Sequence, residues 1–429
     1  VTARRLRGAC RAHLVAALAG CLVGLVGGAF RWCLQRADAL RGRLLETAAG
    51  LGGGLGWLVP VALTAAGAAL ACAIARRVPH AAGSGIQHVE AVWRGESEAP
   101  TWRLLPAKFA GGVVAIGSGL VLGREGPAVH MGAAIGAEAG RRTGLGADDI
   151  RLLHTSLAGA GLAVAFAAPL GGLLFVCEEV TRSVRPRLVL MTLVGTAAAA
   201  AVSALIAGGA PIFPFPDAPA PPVWLLPVFL LFGATAGLLG AAYGGLVIGS
   251  LALSDRLAAR VPATARAALI GAVVGLLMAV DPLFAGGGDP LGERLLAGWS
   301  PAVGVLAAYL AVRFAAGPLS YAAGTPGGLF APLLAVGALW GALAHAAAGP
   351  LLPGQAAGSG AFAVVGMAAL FAAVVRAPAT GIVLVVEMTG ATSLVLPLLA
   401  ACFAAALTAD RLGSEPVYDR LRRRMQERP

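Results

Sequence analysis

Charge is scarce in this chain. Only 12% of its 429 residues are Asp, Glu, Lys or Arg, and 58% are hydrophobic, whereas a soluble protein carries about 25% charged residues. Mean hydropathy is +0.82. That deficit excludes an ordinary soluble domain. Strand-like alternation is also missing, which argues against a transmembrane barrel, where lipid-facing and lumen-facing residues alternate. The six cysteines, at 10, 21, 33, 72, 177 and 402, have no CxxC spacing and read as small buried hydrophobes. The six histidines lack metal-ligand spacing, and there is no HExxH, no GKS or GKT and no GxSxG with partners. An enzyme acting on a covalent bond is therefore not expected, and neither is a cofactor or a metal.

Lysine is nearly absent: Lys108 is the only one, so the net charge of +11 comes from arginine. Arg4, Arg5 and Arg7, then Arg182, Arg185 and Arg187, then Arg411, Arg420, Arg422, Arg423 and Arg424 gather at the ends of apolar runs. That pattern is positive-inside anchoring rather than a nucleic-acid surface, and it puts both termini in the cytoplasm. Arg31, Arg36, Arg41 and Arg43, beyond the first apolar run, go against it. This run, 13–30, has no small-residue cleavage site before Arg31 and reads as a retained helix rather than a signal peptide.

What the chain does have is apolar sequence from end to end, rich in Ala, Leu and Gly. A bilayer-spanning segment must satisfy its own backbone hydrogen bonds, so the expected class is an all-α polytopic membrane protein. A full span needs about 20 residues. The run 127–140 gives only about 21 Å of helix at ~1.5 Å per residue. Several segments are too short to cross alone. No soluble domain is expected, and residues 1–429 read as one transmembrane domain.

An internal repeat organises these segments. "AAPLGGLLFVCEEV" (167–180) resembles "RAPATGIVLVVEMT" (376–389): Pro169, Gly172 and Glu178 recur 209 positions later as Pro378, Gly381 and Glu387. "GREGPAVHMG" (123–132) resembles "GLFAPLLAVG" (328–337): Gly123, Pro127 and Gly132 recur at an offset of 205 as Gly328, Pro332 and Gly337. The halves run roughly over 12–208 and 223–418. Each holds a Gly/Pro-interrupted short helix in a corresponding position, the pointer to a binding site at the midplane of a transporter. Helix N-termini carry unpaired N–H groups and a partial positive charge, so broken helices aimed at the bilayer centre can hold an anion with backbone alone. Pro in the first helical turn and Gly before it suit such a start.

Three stretches bear on that site. In "AAGSGIQHVEAV" (81–92), Ser84 is either an N-cap or a hydroxyl donor to an anion. "TPGGLFAP" (325–332) supplies the N–H groups of Leu329 and Phe330. "CEEVTRSVRPR" (177–187) sets Glu178 and Glu179 at a helix end. They are either held by Arg182 or Arg185, or form a proton station, since adjacent carboxylates in a poor dielectric cannot both ionise easily. Glu90, Lys108 and Glu387 are single charges in apolar runs and should face the interior and pair. His88 and His130 lie near the motifs without an assigned role.

With these residues in hand, the chain resembles the CLC family of chloride channels and chloride/proton antiporters. "GSGIQHVE", "GREGPAVHMG", "GGLFAP" and "GSEPVYDRL" match the family's four anion-site segments in order, with the two Pro-Gly-Glu helices between them. The likeness runs from the first helix to Tyr418. It implies two inverted-topology repeats of tilted and broken helices, about 18 in all, with one pore per subunit of a homodimer. By motif, the hydroxyls of Ser84 and Tyr418 and the N–H groups of Leu329 and Phe330 would hold chloride. Glu125 would be the gating glutamate, with the Gly126 N–H beside it. Glu179 would be the internal proton glutamate that channels usually lack, and Glu90, Lys108 and Glu178 would be supporting buried charges. Gln87 stands where the family usually has proline, and Ala167 where it usually has Asn. Ser84 argues for chloride over nitrate, and the Ser and Tyr pair makes the fluoride-exporting branch the poorer match. The cytoplasmic regulatory domains of many eukaryotic members do not follow Tyr418, so the chain is of prokaryotic type and nucleotide regulation is not expected. The expected activity is exchange of chloride and similar anions for protons across a bacterial inner membrane. A voltage- or pH-gated chloride channel on the same fold is the alternative. A cation-coupled permease, with Glu125 as a cation ligand, is a third reading.

Overall fold

The computed structural model describes residues 2–50, 55–215, 219–349 and 357–427. The side chains of residues 1–10 fall outside that description, and with them Arg4, Arg5, Arg7 and Cys10. Among the described residues the chain is helical, with no strand beyond two isolated bridges.

The first half holds α1 (Thr2–Ala49), α2 (Leu58–Ala75), α3 (Ile86–Arg94), α4 (Leu104–Gly117), α5 (Glu125–Arg142), α6 (Ala147–Phe166), α7 (Pro169–Phe175) and α8 (Pro186–Ala207). The second holds α9 (Leu226–Leu257), α10 (Ala263–Val280), α11 (Asp289–Leu296), α12 (Val303–Tyr321), α13 (Phe330–Ala348), α14 (Ser359–Val375), α15 (Pro378–Thr389), α16 (Val395–Arg411) and α17 (Val417–Gln426). Among the described residues there are seventeen α-helices, in keeping with the expected number of about eighteen. Eight of them are long and apolar enough to cross a membrane, and the protein is an integral membrane protein.

The first apolar run does not stop at residue 30. α1 continues through Arg31, Arg36, Arg41 and Arg43 to Ala49. Two of these arginines bond protein carbonyls: Arg31 bonds Val164 O at 3.4 Å, and Arg41 bonds Gly117 O at 2.9 Å. That explains how arginines can stand against the positive-inside pattern: internal partners replace the membrane surface.

The two halves pack alike. α1 lies on α8 as α9 lies on α16, and α5 lies on α6 as α13 lies on α14. Glycine lets these helices touch. A Cβ at Gly132 would stand 2.2 Å from Leu157 O, and one at Gly337 would stand 2.4 Å from Gly366 O. Small residues let backbones approach where lipid offers no hydrophobic drive to associate.

The sense of the symmetry is fixed by two carboxylates. A π-helical turn, Val176–Val180, extends α7 and carries Glu178 to the start of α15. There Glu178 accepts from the N–H groups of Ala379 (3.0 Å) and Thr380 (2.6 Å) and from the Thr380 hydroxyl (2.7 Å). Glu387, near the end of α15, accepts from the N–H groups of Leu170 (3.1 Å) and Gly171 (2.7 Å) at the start of α7. Each helix end caps the other's beginning. That exchange is possible only if α7 and α15 run in opposite directions, as inverted repeats require. Both carboxylates thereby meet positive helix ends.

Candidate functional site

Three chain segments converge where helices break. The segment before α5 and the segment before α13 meet head to head. Gly123 N–H donates to Gly328 O at 2.9 Å, and Gly328 N–H donates to Gly123 O at 2.8 Å. The segment before α3 joins them: Gly83 N–H donates to Thr325 O at 2.9 Å, and Gly327 N–H donates to Gly83 O at 3.2 Å. Backbone groups that no helix satisfies thus satisfy one another, and three helix N-termini face one small volume.

Glu125 lies inside it. It is the first residue of α5, with Arg124 in the N-cap position, so it belongs to the positive helix end rather than preceding it. It is 0% exposed. Its Oε1 accepts the Phe330 N–H at 2.6 Å, across the repeat boundary. A Cβ on Gly123 would fall 2.0 Å from its Oε2, and one on Gly328 would fall 2.2 Å from its Oε1, so bare backbone forms the cradle. Among the described residues no Lys or Arg pairs with this carboxylate. A buried carboxylate without a counter-charge is costly; here a helix dipole and a short charge-assisted bond offset that cost.

Ser84 touches the same volume, since a Cβ on Gly126 would lie 2.6 Å from its Oγ. Ser84 does not cap α3. The N-cap is Gly85, in the left-handed region at φ +90°, with no side-chain cap. The Ser84 Oγ and the Tyr418 hydroxyl are buried without a well-formed hydrogen bond. Tyr418 rests on the Phe330 ring, with centroids 5.7 Å apart. Phe330 also packs on Phe371 and Phe175, at 4.7 and 6.0 Å. Leu329 is the N-cap of α13 and fully buried, and it is the next amide, that of Phe330, that reaches Glu125.

The remaining charges separate. Lys108 is 0% exposed and donates to Gly83 O (2.7 Å) and Ser84 O (3.2 Å), which braces the first segment from behind. Glu179 is buried and faces Glu90, also buried, whose Oε2 is 3.8 Å from Arg422 Nε. Glu178 is only half-buried and caps α15 instead. The expected carboxylate pair is therefore divided: the π turn points Glu178 and Glu179 to different partners, and neither forms an ion pair with Arg182 or Arg185. Arg182 bonds Asp419 at 2.6 Å, one residue past Tyr418. His88 Nδ1 and His130 Nε2 pair at 2.9 Å.

Two cavities with no lining residue in common reach this closed centre. One, of about 270 Å³, is lined by Gly123, Arg124, Asp289, Arg313 and Ala331. The other, of about 340 Å³, is lined by Gly83, Gly85, Gln87, Tyr321 and Arg424. Tyr321 was not legible in the sequence. Its hydroxyl accepts the Ser84 N–H at 3.3 Å, beside the half-buried Gln87. The only signal was a tyrosine, one of four in the chain, close before a Gly-Pro-Gly-rich turn. Asp289 and Arg313 carried no sequence signal.

The pattern defining the family described as "Voltage gated chloride channel" matches residues 66–410. A curated relative from Vibrio cholerae serotype O1, the H(+)/Cl(-) exchange transporter ClcA, is 37% identical over 335 residues, 76% of this chain and 70% of the relative. Its namesake from Vibrio parahaemolyticus serotype O3:K6 is 38% identical over 337 residues, again 76% of this chain and 71% of the relative. Among solved structures, a slow cyanobacterial Cl-/H+ antiporter superposes with a TM-score of 0.91 at 30% identity, covering 97% of this chain and 98% of its own.

Proposed function

The chain belongs to the voltage gated chloride channel family, and on that premise we propose that it exchanges chloride for protons with Glu125 as the gate. Exchange is the activity named for its relatives. The observation that carries the gate is the bond from the Phe330 N–H to the Glu125 carboxylate at 2.6 Å. In this arrangement a carboxylate sits where an anion would sit, at the meeting of helix starts.

The mechanism follows from competition. Ionised Glu125 is held by the Phe330 N–H and the α13 dipole. A proton on Glu125 removes the charge those groups hold, and the side chain lets go. Chloride then takes the same donors, with the Ser84 and Tyr418 hydroxyls and the Gly126 amide completing its shell. When Glu125 ionises again it displaces the anion. Glu179, with Glu90 beside it, is a carboxyl pair able to accept the proton and pass it on. Lys108 and Glu178 keep the scaffold in register. Apart from the O–H bond of each carried proton, no covalent bond is made or broken, so the protein acts as a transporter rather than an enzyme, and this mechanism calls for no cofactor beyond the substrate ions. Donors, not carbonyl ligands, face the centre, which disfavours a cation at Glu125.

Arg182, Arg422 and Asp419 cluster with α17 on one face. By the positive-inside rule that face is cytoplasmic, with both termini, and the cavity at Gln87 and Tyr321 opens there. The membrane is a bacterial inner membrane. A homodimer is the assembly that the family resemblance implies.

The test uses purified protein in lipid vesicles under a chloride gradient. Protons should be driven uphill as chloride runs down. Chloride flux without uphill proton movement would leave a passive channel as the correct reading. Bromide soaked into crystals should give anomalous density between Ser84, Tyr418 and Phe330.

A further inference from the structure

A buried arginine on the wall of the 270 Å³ cavity makes no contact with the anion centre. Arg313 on α12 is 1% exposed and has no carboxylate partner among the described residues. It donates to three carbonyls, Leu283 O at 2.6 Å, Ala285 O at 3.1 Å and Gly286 O at 2.8 Å. These belong to the turn that leads into α11. Gly288 in that turn has φ +107°, and a Cβ there would lie 2.7 Å from Arg313 Nη2, so turn and guanidinium are packed without slack. The next residue is Asp289. Its Oδ2 accepts from Arg124 Nη1 at 2.8 Å, and Arg124 Nε donates to Ala165 O at 3.0 Å. The cation next to Glu125 in sequence is thus tied on two sides, and neither tie is to Glu125.

We propose that Asp289, braced by Arg313, is a positioning residue that keeps the Arg124 charge neutralised and away from Glu125, and so sets how tightly the ionised gate is held. The proposal rests on the gate reading of Glu125. Its logic is electrostatic. Remove the Asp289 charge, and Arg124 loses its ion-pair partner, because Asp38 on the same cavity wall is held by Arg41 at 2.7 Å; the Arg124 charge then acts on a carboxylate in a water-poor site, where charge–charge terms are strong.

The other groups facing Glu125 do not duplicate this effect. α13 presents only backbone N–H groups. α9, α12 and α17 present the hydroxyls of Tyr243, Tyr321 and Tyr418, uncharged over the working range. On α4, Lys108 is bound to Gly83 O and Ser84 O, and on α1, Arg31 bonds Val164 O. Solvent in the 270 Å³ cavity reaches the Arg124–Asp289 pair while Glu125 itself is sealed. The pair is therefore the last charged contact before the gate on that side.

The experiment measures chloride flux against outside pH in vesicles for Asp289→Asn, Asp289→Glu, Glu125→Gln and the double variant Glu125→Gln with Asp289→Asn. Asp289→Asn should move the half-maximal pH about one unit to the acid side, the size expected for a cation set near a carboxylate. The sign follows because an ionised gate held more strongly needs more protons to release it. Asp289→Glu should restore the wild-type profile. In the Glu125→Gln background, Asp289→Asn should change nothing, because no carboxylate remains for Arg124 to hold. An unshifted profile in the single variant, or an equal shift in the double variant, overturns the proposal. Normal uphill proton pumping by Glu125→Gln alone is a different result: it removes the gate reading, and this proposal falls with it.

Discussion

The turns before α5 and α13 have one backbone and two outcomes. Both begin at a glycine, both reach proline four residues on, and each glycine bonds the other across the repeat axis. In the first half the side chain after the turn is Glu125, which crosses to the partner half's amide. In the second it is Phe330, whose ring turns back into an aromatic cluster and supports Tyr418. One half supplies the charge, and the other supplies the donor and the wall. The backbone site is shared; the asymmetry needed for gating lies in the side chains.

That contrast can be broken at several points. The largest effect is expected from Glu125→Gln, which should keep chloride flux but reduce uphill proton movement to background in vesicles; normal pumping would refute the division of roles. Phe330→Ala keeps the amide and loses the ring. It should cost about 3–5 kcal/mol of stability, as for other buried aromatics. Thermal unfolding in detergent reads the loss, and the surviving protein should still couple protons to chloride.

The reciprocal caps sharpen the comparison at smaller cost. Replacing a carboxylate that accepts backbone N–H bonds should cost roughly 1.5–3 kcal/mol. Glu178→Gln should cost more than Glu387→Gln, because Glu178 also holds the Thr380 hydroxyl. Equal melting shifts would mean that this extra bond contributes nothing.

The smallest effect concerns the helix ends at Ala167 and Arg376, which correspond in the repeat. Both adopt left-handed backbone, at φ +53° and +69°. Arg376 is compensated by bonds to Ala373 O and Ala406 O, at 3.0 and 3.1 Å, and Ala167 has no such compensation. Ala167→Asn should therefore stabilise by about 0.5–1 kcal/mol, since Asn tolerates this region better. Arg376→Asn should destabilise. The two melting shifts should differ in sign.

Much of this was legible beforehand. Hydropathy and missing charge gave the helical membrane class. The offsets of 205 and 209 gave the repeat, and Gly-Pro spacing marked the broken helices. Ser84, Lys108, Glu125 and Tyr418 do gather at one centre. Other features depend on geometry that no local pattern carries. A π turn separates Glu178 from Glu179, and adjacency in sequence cannot reveal it. Ser84 could be read as a cap or as an anion donor, because caps are defined by backbone angles that sequence does not print. Tyr321, Arg313 and Asp289 act through partners far away in the chain.

The sequence by itself determined that the chain is helical and apolar, that helices break at the Gly-Pro stretches 123–127 and 328–332, and that the pattern occurs twice. These are local consequences of side-chain polarity and of Gly and Pro backbone preferences. Only the tertiary structure decided which break faces which, that Glu125 bonds the amide of the opposite half, and that Asp289 holds the neighbouring arginine. Those contacts join residues as far apart in the chain as Gly83 and Gly327. They depend on distances of a few ångströms set by helix packing, which no local pattern encodes.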